Sequence, residues 1–202
     1  MIEKNRKDPV SAGRYATVAD FKRIFTEDVN RLYLLSLVLT GDTENAEKCF
    51  VEGIGESTKG NLVFKEWARS WARRTIVQSA IRLISPLKWS ATATRSEDVV
   101  EVVDKVPVAL HAEVCAILDL APLDRFVFVM SVLERYSDND CSILLGCPRS
   151  EIAPTRTRAI QRLVTLLRLK DNGRTNAAPE TAIELLIVQH FAISSPTHSL
   201  SR

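Results

Sequence analysis

The sequence predicts an all-α protein of two small helical domains joined by a linker, the second a helix-turn-helix domain. Three observations predict it. Apolar residues recur at three- and four-residue spacing along most of the chain, and no stretch shows the alternation of a half-buried strand. Only seven glycines occur in 202 residues, too few for a turn-rich β protein. Residues 90–108 ("SATATRSEDVVEVVDKVPV" and its neighbours) lose the apolar periodicity, turn polar and acidic, and carry a proline. The chain therefore divides into a loose segment 1–17, a helical domain 18–89, a linker 90–108, a helical domain 109–170 and a tail 171–202.

In the first domain, Thr17 followed by Asp20 forms a helix-starting box. Phe21, Ile24, Phe25, Val29, Leu32, Leu35 and Leu39 continue one helix up to Gly41-Asp42. "TENAEKCFVEGI" starts the next, with Ala46, Phe50 and Ile54 four apart, and "GESTKGN" (55–61) reads as a loop. A longer helix spans about 64–84 and stops before Pro86. Its Trp67 and Trp71 lie four apart and are assigned to the core.

In the second domain, helices are expected over 111–118 and 123–135, with Pro122 in the first turn of the latter and Phe126, Val127, Met130 and Leu133 as its apolar stripe. Ser137 and Asp140 start a short helix, 138–145, with Ile143 and Leu144 or Leu145 turned inward. Gly146 suits a left-handed stop and Cys147-Pro148 opens another helix. Helix, glycine turn and helix at this spacing is the geometry that lets a second helix enter a major groove. From Arg149 to Lys170 the basic residues are Arg149, Arg156, Arg158, Arg162, Arg168 and Lys170, against the single acid Glu151, an excess suited to phosphates. Pro154 interrupts that helix. Either the helix kinks there, or 147–153 is an irregular turn and the helix begins at Pro154. In the tail, "TAIELLIVQHFAI" would place Ile183, Leu186, Ile187 and His190 on one face of a final helix.

Hydrophobic residues at 46% and charged residues at 26% fit a packed soluble fold, and the net charge of +2 makes no nucleic-acid case without its local distribution. Cys49, Cys115, Cys141 and Cys147 form no CxxC, and the three histidines stand far from any zinc spacing; buried thiols in a reducing cytoplasm are expected. No signal pattern opens the chain, and "LYLLSLVL" and "AIELLIV" are too short to span a bilayer, so no membrane insertion is expected. No phosphate loop, metal spacing or nucleophile–base arrangement is present, and the expectation is a protein that is not an enzyme and needs no cofactor.

The stretch "LDLAPLDRFVFVMSVLERYSDNDCSILLGCPRSEIAPTRTRAIQRL" (118–163) resembles region 4 of the extracytoplasmic-function sigma factors, through Leu120, Pro122, Arg125, Val127-Phe128, Ser137, Leu145-Gly146, Cys147-Pro148, Ile152 and Arg158-Ala159. "RLYLLSLVLTGDTENAEKCFVEGI" (31–54) and "FKEWARSWARRTIVQSAIRL" (64–83) resemble region 2, and the resemblance covers residues 18–168. It implies core RNA polymerase and promoter DNA as partners, with an anti-sigma protein as a further candidate; the expected cytoplasmic location follows from the missing signal pattern and spanning run. The resemblance implies polymerase contacts at Glu44, Glu47, Lys48 and Glu52; capture of unpaired −10 bases by Ser57, Thr58, Lys59, Asn61, Arg73 and Arg74; and −35 contacts by Arg149, Ser150, Glu151, Arg156, Arg158 and Arg162. Departures are specific. The clamp-facing helix has Lys48, Val51 and Ile54 where the family has an aspartate, a glutamine and a phenylalanine. Arg74 and Gln78 replace an asparagine and an aspartate, and Ala153, Pro154 and Thr155 replace a basic residue, a serine and an arginine. The alternative is a divergent sigma-like regulator that has lost promoter recognition and acts as a DNA-binding or protein-binding module.

Overall fold

The computed structural model describes residues 14–59, 62–87 and 110–171, and every regular element among them is helical. The chain divides into two compact units, Met1–Ser85 and Pro86–Arg202. The expected linker 90–108 and the expected tail helix lie outside the described residues.

The first unit starts earlier than the sequence suggests. Tyr15 bridges Phe64 in antiparallel fashion, with Ala16 N–H on the Val63 carbonyl at 2.7 Å and Lys65 N–H on the Arg14 carbonyl at 3.0 Å, so residues 14–16 belong to the fold. Helix α1 (Val18–Glu27) is capped as read: Thr17 Oγ1 accepts from Asp20 N–H at 3.2 Å and the Asp20 carboxylate accepts from Thr17 N–H at 2.9 Å. Phe21, Ile24 and Phe25 form its one buried stripe.

The expected single helix to Leu39 is in fact two. The chain turns at Asp28 (φ −104°, ψ 18°), and α2 (Val29–Thr40) buries six consecutive residues, Leu35 to Thr40. A straight helix carrying on from α1 would keep one face in water, and the turn lets α2 run through the middle of its unit. The hydroxyls of Ser36 and Thr40 in this apolar setting donate back to Leu32 and Ser36 carbonyls at 3.0 and 2.8 Å. Gly41 ends α2 in the left-handed region (φ 89°), and Asp42 caps α3 (Thr43–Thr58) through Asn45 N–H at 2.7 Å.

Helix α3 is a turn longer than expected, because residues 55–58 are helical rather than loop. The buried Ser57 hydroxyl meets the Thr75 hydroxyl at 2.8 Å, which holds this polar end against α4 (Ala68–Ile84). Helix α4 buries the small residues Ala68, Ala72, Ser79 and Ala80, and α3 meets it closely at Gly53, beside Ile76, and at Cys49, whose thiol donates to the Ile76 carbonyl at 3.3 Å. A 3₁₀ turn, Lys65–Trp67, precedes α4, and Ser85 ends it at φ 49° before Pro86.

In the second unit, α5 (His111–Leu118) is followed by α6 (Pro122–Phe128), with Pro122 at its first position. The α-helix expected to reach Arg135 instead widens into a π-helical turn, Val129–Leu133, where Glu134 N–H reaches back to the Val129 carbonyl at 2.9 Å. Phe126 to Met130 are all buried, so α6 and this turn form the centre of the unit. Ser137 caps α7 (Asp138–Leu145) by accepting from Asp140 N–H at 3.1 Å, and Gly146 closes it at φ 72°. Leu145 is buried and Leu144 half-buried, but Ile143 is 68% exposed; it does not turn inward as expected.

Helix α8 (Arg149–Asp171) is one unbroken element that contains Pro154. Its start at Arg149 rules out a helix beginning at Pro154. Proline at this position supplies no N–H for the Ser150 carbonyl, a loss of about 3 kcal/mol in a buried helix interior. Ser150 and Pro154 are both exposed, so water can take the place of the missing donor. Ile152, Thr155, Ala159, Leu163 and Leu167 form the buried stripe that seats α8.

Candidate nucleic-acid interface

The helix pair α7–α8 presents a definite outer edge. Ser150, Ala153, Pro154, Thr157 and Gln161 are all exposed, on the side of α8 opposite its buried stripe. Up to Gln161 this edge carries no charge, and exposed Arg168 lies two turns further along the same side. The basic residues flank it, and the structure divides them into two kinds.

Arg158 belongs to the fold. Its Nε lies 3.0 and 3.1 Å from the two Asp124 oxygens, and its Nη2 lies 2.5 Å from Oδ1. Asp124 sits on α6 and is almost buried. This fork-to-carboxylate contact ties α8 to the central helix, and hydrogen bonding to Asp124 raises the Arg158 pKa above its usual range. Arg156 makes a lighter contact, with Nη1 on Asp138 Oδ1 of α7 at 2.6 Å and both side chains about one-third exposed (31% and 29%). Arg149 and Arg162 are exposed, as are Ser150 and Glu151, and among the described residues Arg149 and Arg162 have no ion pair. Of the arginines expected on a duplex, Arg158 is therefore committed to a buried carboxylate, Arg156 is restrained, and Arg149 and Arg162 stand open. The sequence pattern could not show this, since Asp124 lies 34 residues from Arg158.

The residues expected to capture unpaired bases are not gathered on one loop. Ser57 is 2% exposed and hydrogen-bonded to Thr75, so its hydroxyl is turned into the core. The half-buried Thr58 donates to the Gly55 carbonyl at 2.9 Å, and Lys59 pairs with Glu56 at 2.8 Å. The cause is the extra turn of α3, which makes backbone and helix-face positions out of what reads as a polar loop. Asn61 lies outside the described residues. Arg73 and Arg74 are half-buried on α4; Arg73 is engaged within the fold, and Arg74 has no ion pair among the described residues.

Trp67 corrects another expectation. It is 59% exposed, not core. Spacing of four puts two residues on one face only when both lie in one α-helix, and Trp67 belongs to the 3₁₀ turn ahead of α4. Its ring meets Phe64 edge-on at 5.2 Å, and Phe64 stacks on Tyr15 at 4.9 Å. Trp71 is half-buried, with its indole nitrogen enclosed.

On α3, Glu44, Glu47, Lys48 and Glu52 are all exposed. Lys48 pairs with Glu44, its ammonium bonding the carboxylate at 2.5 Å; this contact holds the Glu44 carboxyl below its ordinary range and raises Lys48. Val51, 66% exposed, adds an apolar spot among these charges.

Among the described residues no group of three or more His, Cys, Asp or Glu could hold a metal ion, and no helix is long and apolar enough to cross a membrane. Comparison of the chain with protein-family models, with curated proteins and with solved structures returned no match.

Proposed function

We propose that this protein is a sigma-like transcription initiation factor, which binds core RNA polymerase and promoter DNA and performs no chemistry of its own. In this reading α7, Gly146 and α8 form a helix-turn-helix whose second helix enters the major groove of the −35 element. The first unit contacts the polymerase through the exposed face of α3 and the −10 element through α4. One observation carries the reading: α7 is capped at both ends, by Ser137 and by Gly146 at φ 72°, and the turn delivers an α8 whose leading edge is exposed and flanked by Arg149 and Arg162. The test is co-purification with core polymerase followed by run-off transcription. A protein that neither binds core nor directs initiation has another role.

A second reading is favoured by the arginine pairs and by the inward turn of Ser57. With Arg158 held by Asp124, Arg156 by Asp138 and Ser57 in the core, the chain keeps a sigma-like scaffold with fewer polar groups free for bases. Such a protein is a regulator that has lost promoter recognition. A salt-dependent shift of duplex DNA without core binding selects a plain DNA-binding module, and no shift at all selects a protein-binding one.

A further inference from the structure

We propose that Asp138 restrains Arg156 from duplex phosphates and thereby sets how tightly the α7–α8 pair holds DNA. The inference rests on the helix-turn-helix reading and concerns the regulation of that same site.

Asp138 is the first residue of α7. In a docked helix-turn-helix the first helix crosses the DNA backbone while the second reads the groove. A carboxylate at the start of that first helix therefore opposes phosphates. The other acid of this turn, Asp140, is occupied in the cap, where its carboxylate accepts from the Ser137 hydroxyl at 2.6 Å. Asp138 instead takes the Arg156 guanidinium through one nitrogen, Nη1.

The geometry separates Arg156 from its neighbour two residues on. Arg158 engages Asp124 through Nε and Nη2, and leaving would strand a carboxylate only 12% exposed. That arginine stays where it is. The Arg156 contact is single, and both of its partners reach water. Its Nε and Nη2 remain able to meet a second acceptor. A partly exposed pair of this kind is weak enough for a phosphate to compete with it, and strong enough to lower the free charge facing the duplex. Asp138 thus withholds about one phosphate contact while leaving the scaffold unchanged.

The experiment uses the full chain, a fluorescently labelled short random-sequence duplex as probe, and binding measured by anisotropy across a salt series. The variants are Asp138→Asn, Arg156→Ala, the two combined, and Asp140→Asn as a control with the same charge change. Asp138→Asn is expected to tighten binding roughly threefold to tenfold at low salt and to steepen the log–log salt slope by about 0.9, the value of one added phosphate contact. Arg156→Ala alone should shift affinity by less than about twofold, and in combination it should cut the gain to that of Asp140→Asn. Asp140→Asn should gain less than Asp138→Asn. Arg156→Gln and matched circular-dichroism melts guard against a folding defect.

A gain from Asp138→Asn no greater than that from Asp140→Asn overturns the proposal, as does a gain beyond that of Asp140→Asn that survives without Arg156. So does a wild-type loss on removing Arg156 with a flatter slope, since Arg156 would then already be on phosphate. These outcomes leave the helix-turn-helix reading standing. Absence of duplex binding by every variant at low salt overturns both.

Discussion

Gly53 offers the sharpest test of how the first unit is packed. It lies inside α3, buried against α4. A Cβ placed on it would stand 2.4 Å from Ile76 Cδ1 and 3.2 Å from Ile76 Cγ1. Ile76 is fully buried, so its side chain has little room to retreat. Two effects compete in Gly53→Ala. Alanine favours the helix by about 1 kcal/mol over glycine. Overpacking a filled core costs about 1–3 kcal/mol. The end methyl of Ile76 can rotate, but the Cγ1 contact cannot be relieved that way, so the net effect is a loss of about 1 kcal/mol. Ile76→Val removes the Cδ1 methyl and by itself should cost about 0.5–1.5 kcal/mol. In the double variant the new methyl occupies the space that Cδ1 leaves, so the two losses should fall short of their sum by about 1 kcal/mol. Urea unfolding followed by tryptophan fluorescence reads this, since Trp67 immediately precedes α4 and Trp71 lies in its first turn. A Gly53→Ala protein that is more stable than wild type, or strictly additive losses in the double variant, would falsify the close approach of α3 and α4.

Three further outcomes are expected. Arg158→Ala leaves the nearly buried Asp124 carboxylate without its fork; because the arginine itself is well exposed, the full cost of a broken buried pair is reduced to about 1–3 kcal/mol, readable as a lower midpoint for the second unit in circular dichroism and refuted by an unchanged one. The Asp20 carboxylate, held below its ordinary value of 3.8 first by hydrogen bonds from Thr17, adds stability that is present above about pH 4 and lost as pH falls through its depressed value, so Asp20→Asn should flatten acid unfolding in that window; an identical acid profile would contradict the cap. Burial pushes the Cys49 thiol up to about 12 and Cys141 to about 11, so a thiol reagent at pH 8 should reach neither in the native protein and should label the half-buried Cys115 first; rapid labelling of all four would show that the cores are open.

What the sequence by itself determined is local in origin. The Thr17 box, the Gly41 and Gly146 stops, the Ser137 cap, the limits of α5 and α7 and the helical character of every regular element among the described residues each depend on a few neighbouring residues and on periodicity, and all are found as read. The tertiary structure decided what depends on residues far apart in the chain. It broke the first helix at Asp28, where Arg69 of α4 takes the Asp28 and Glu27 carboxylates, the latter at 2.6 Å. It carried α3 through residues 55–58 because Thr75 gives Ser57 a buried partner. It put Trp67 outside by placing it in a turn, and it kept α8 whole through Pro154 because that side of the helix faces water. The candidate interface follows the same division. The excess of arginine near α8 can be counted along the chain, but which arginines remain open is set by Asp124 and Asp138. A carboxylate 34 or 18 residues away neutralises a charge only once folding brings it within hydrogen-bond reach.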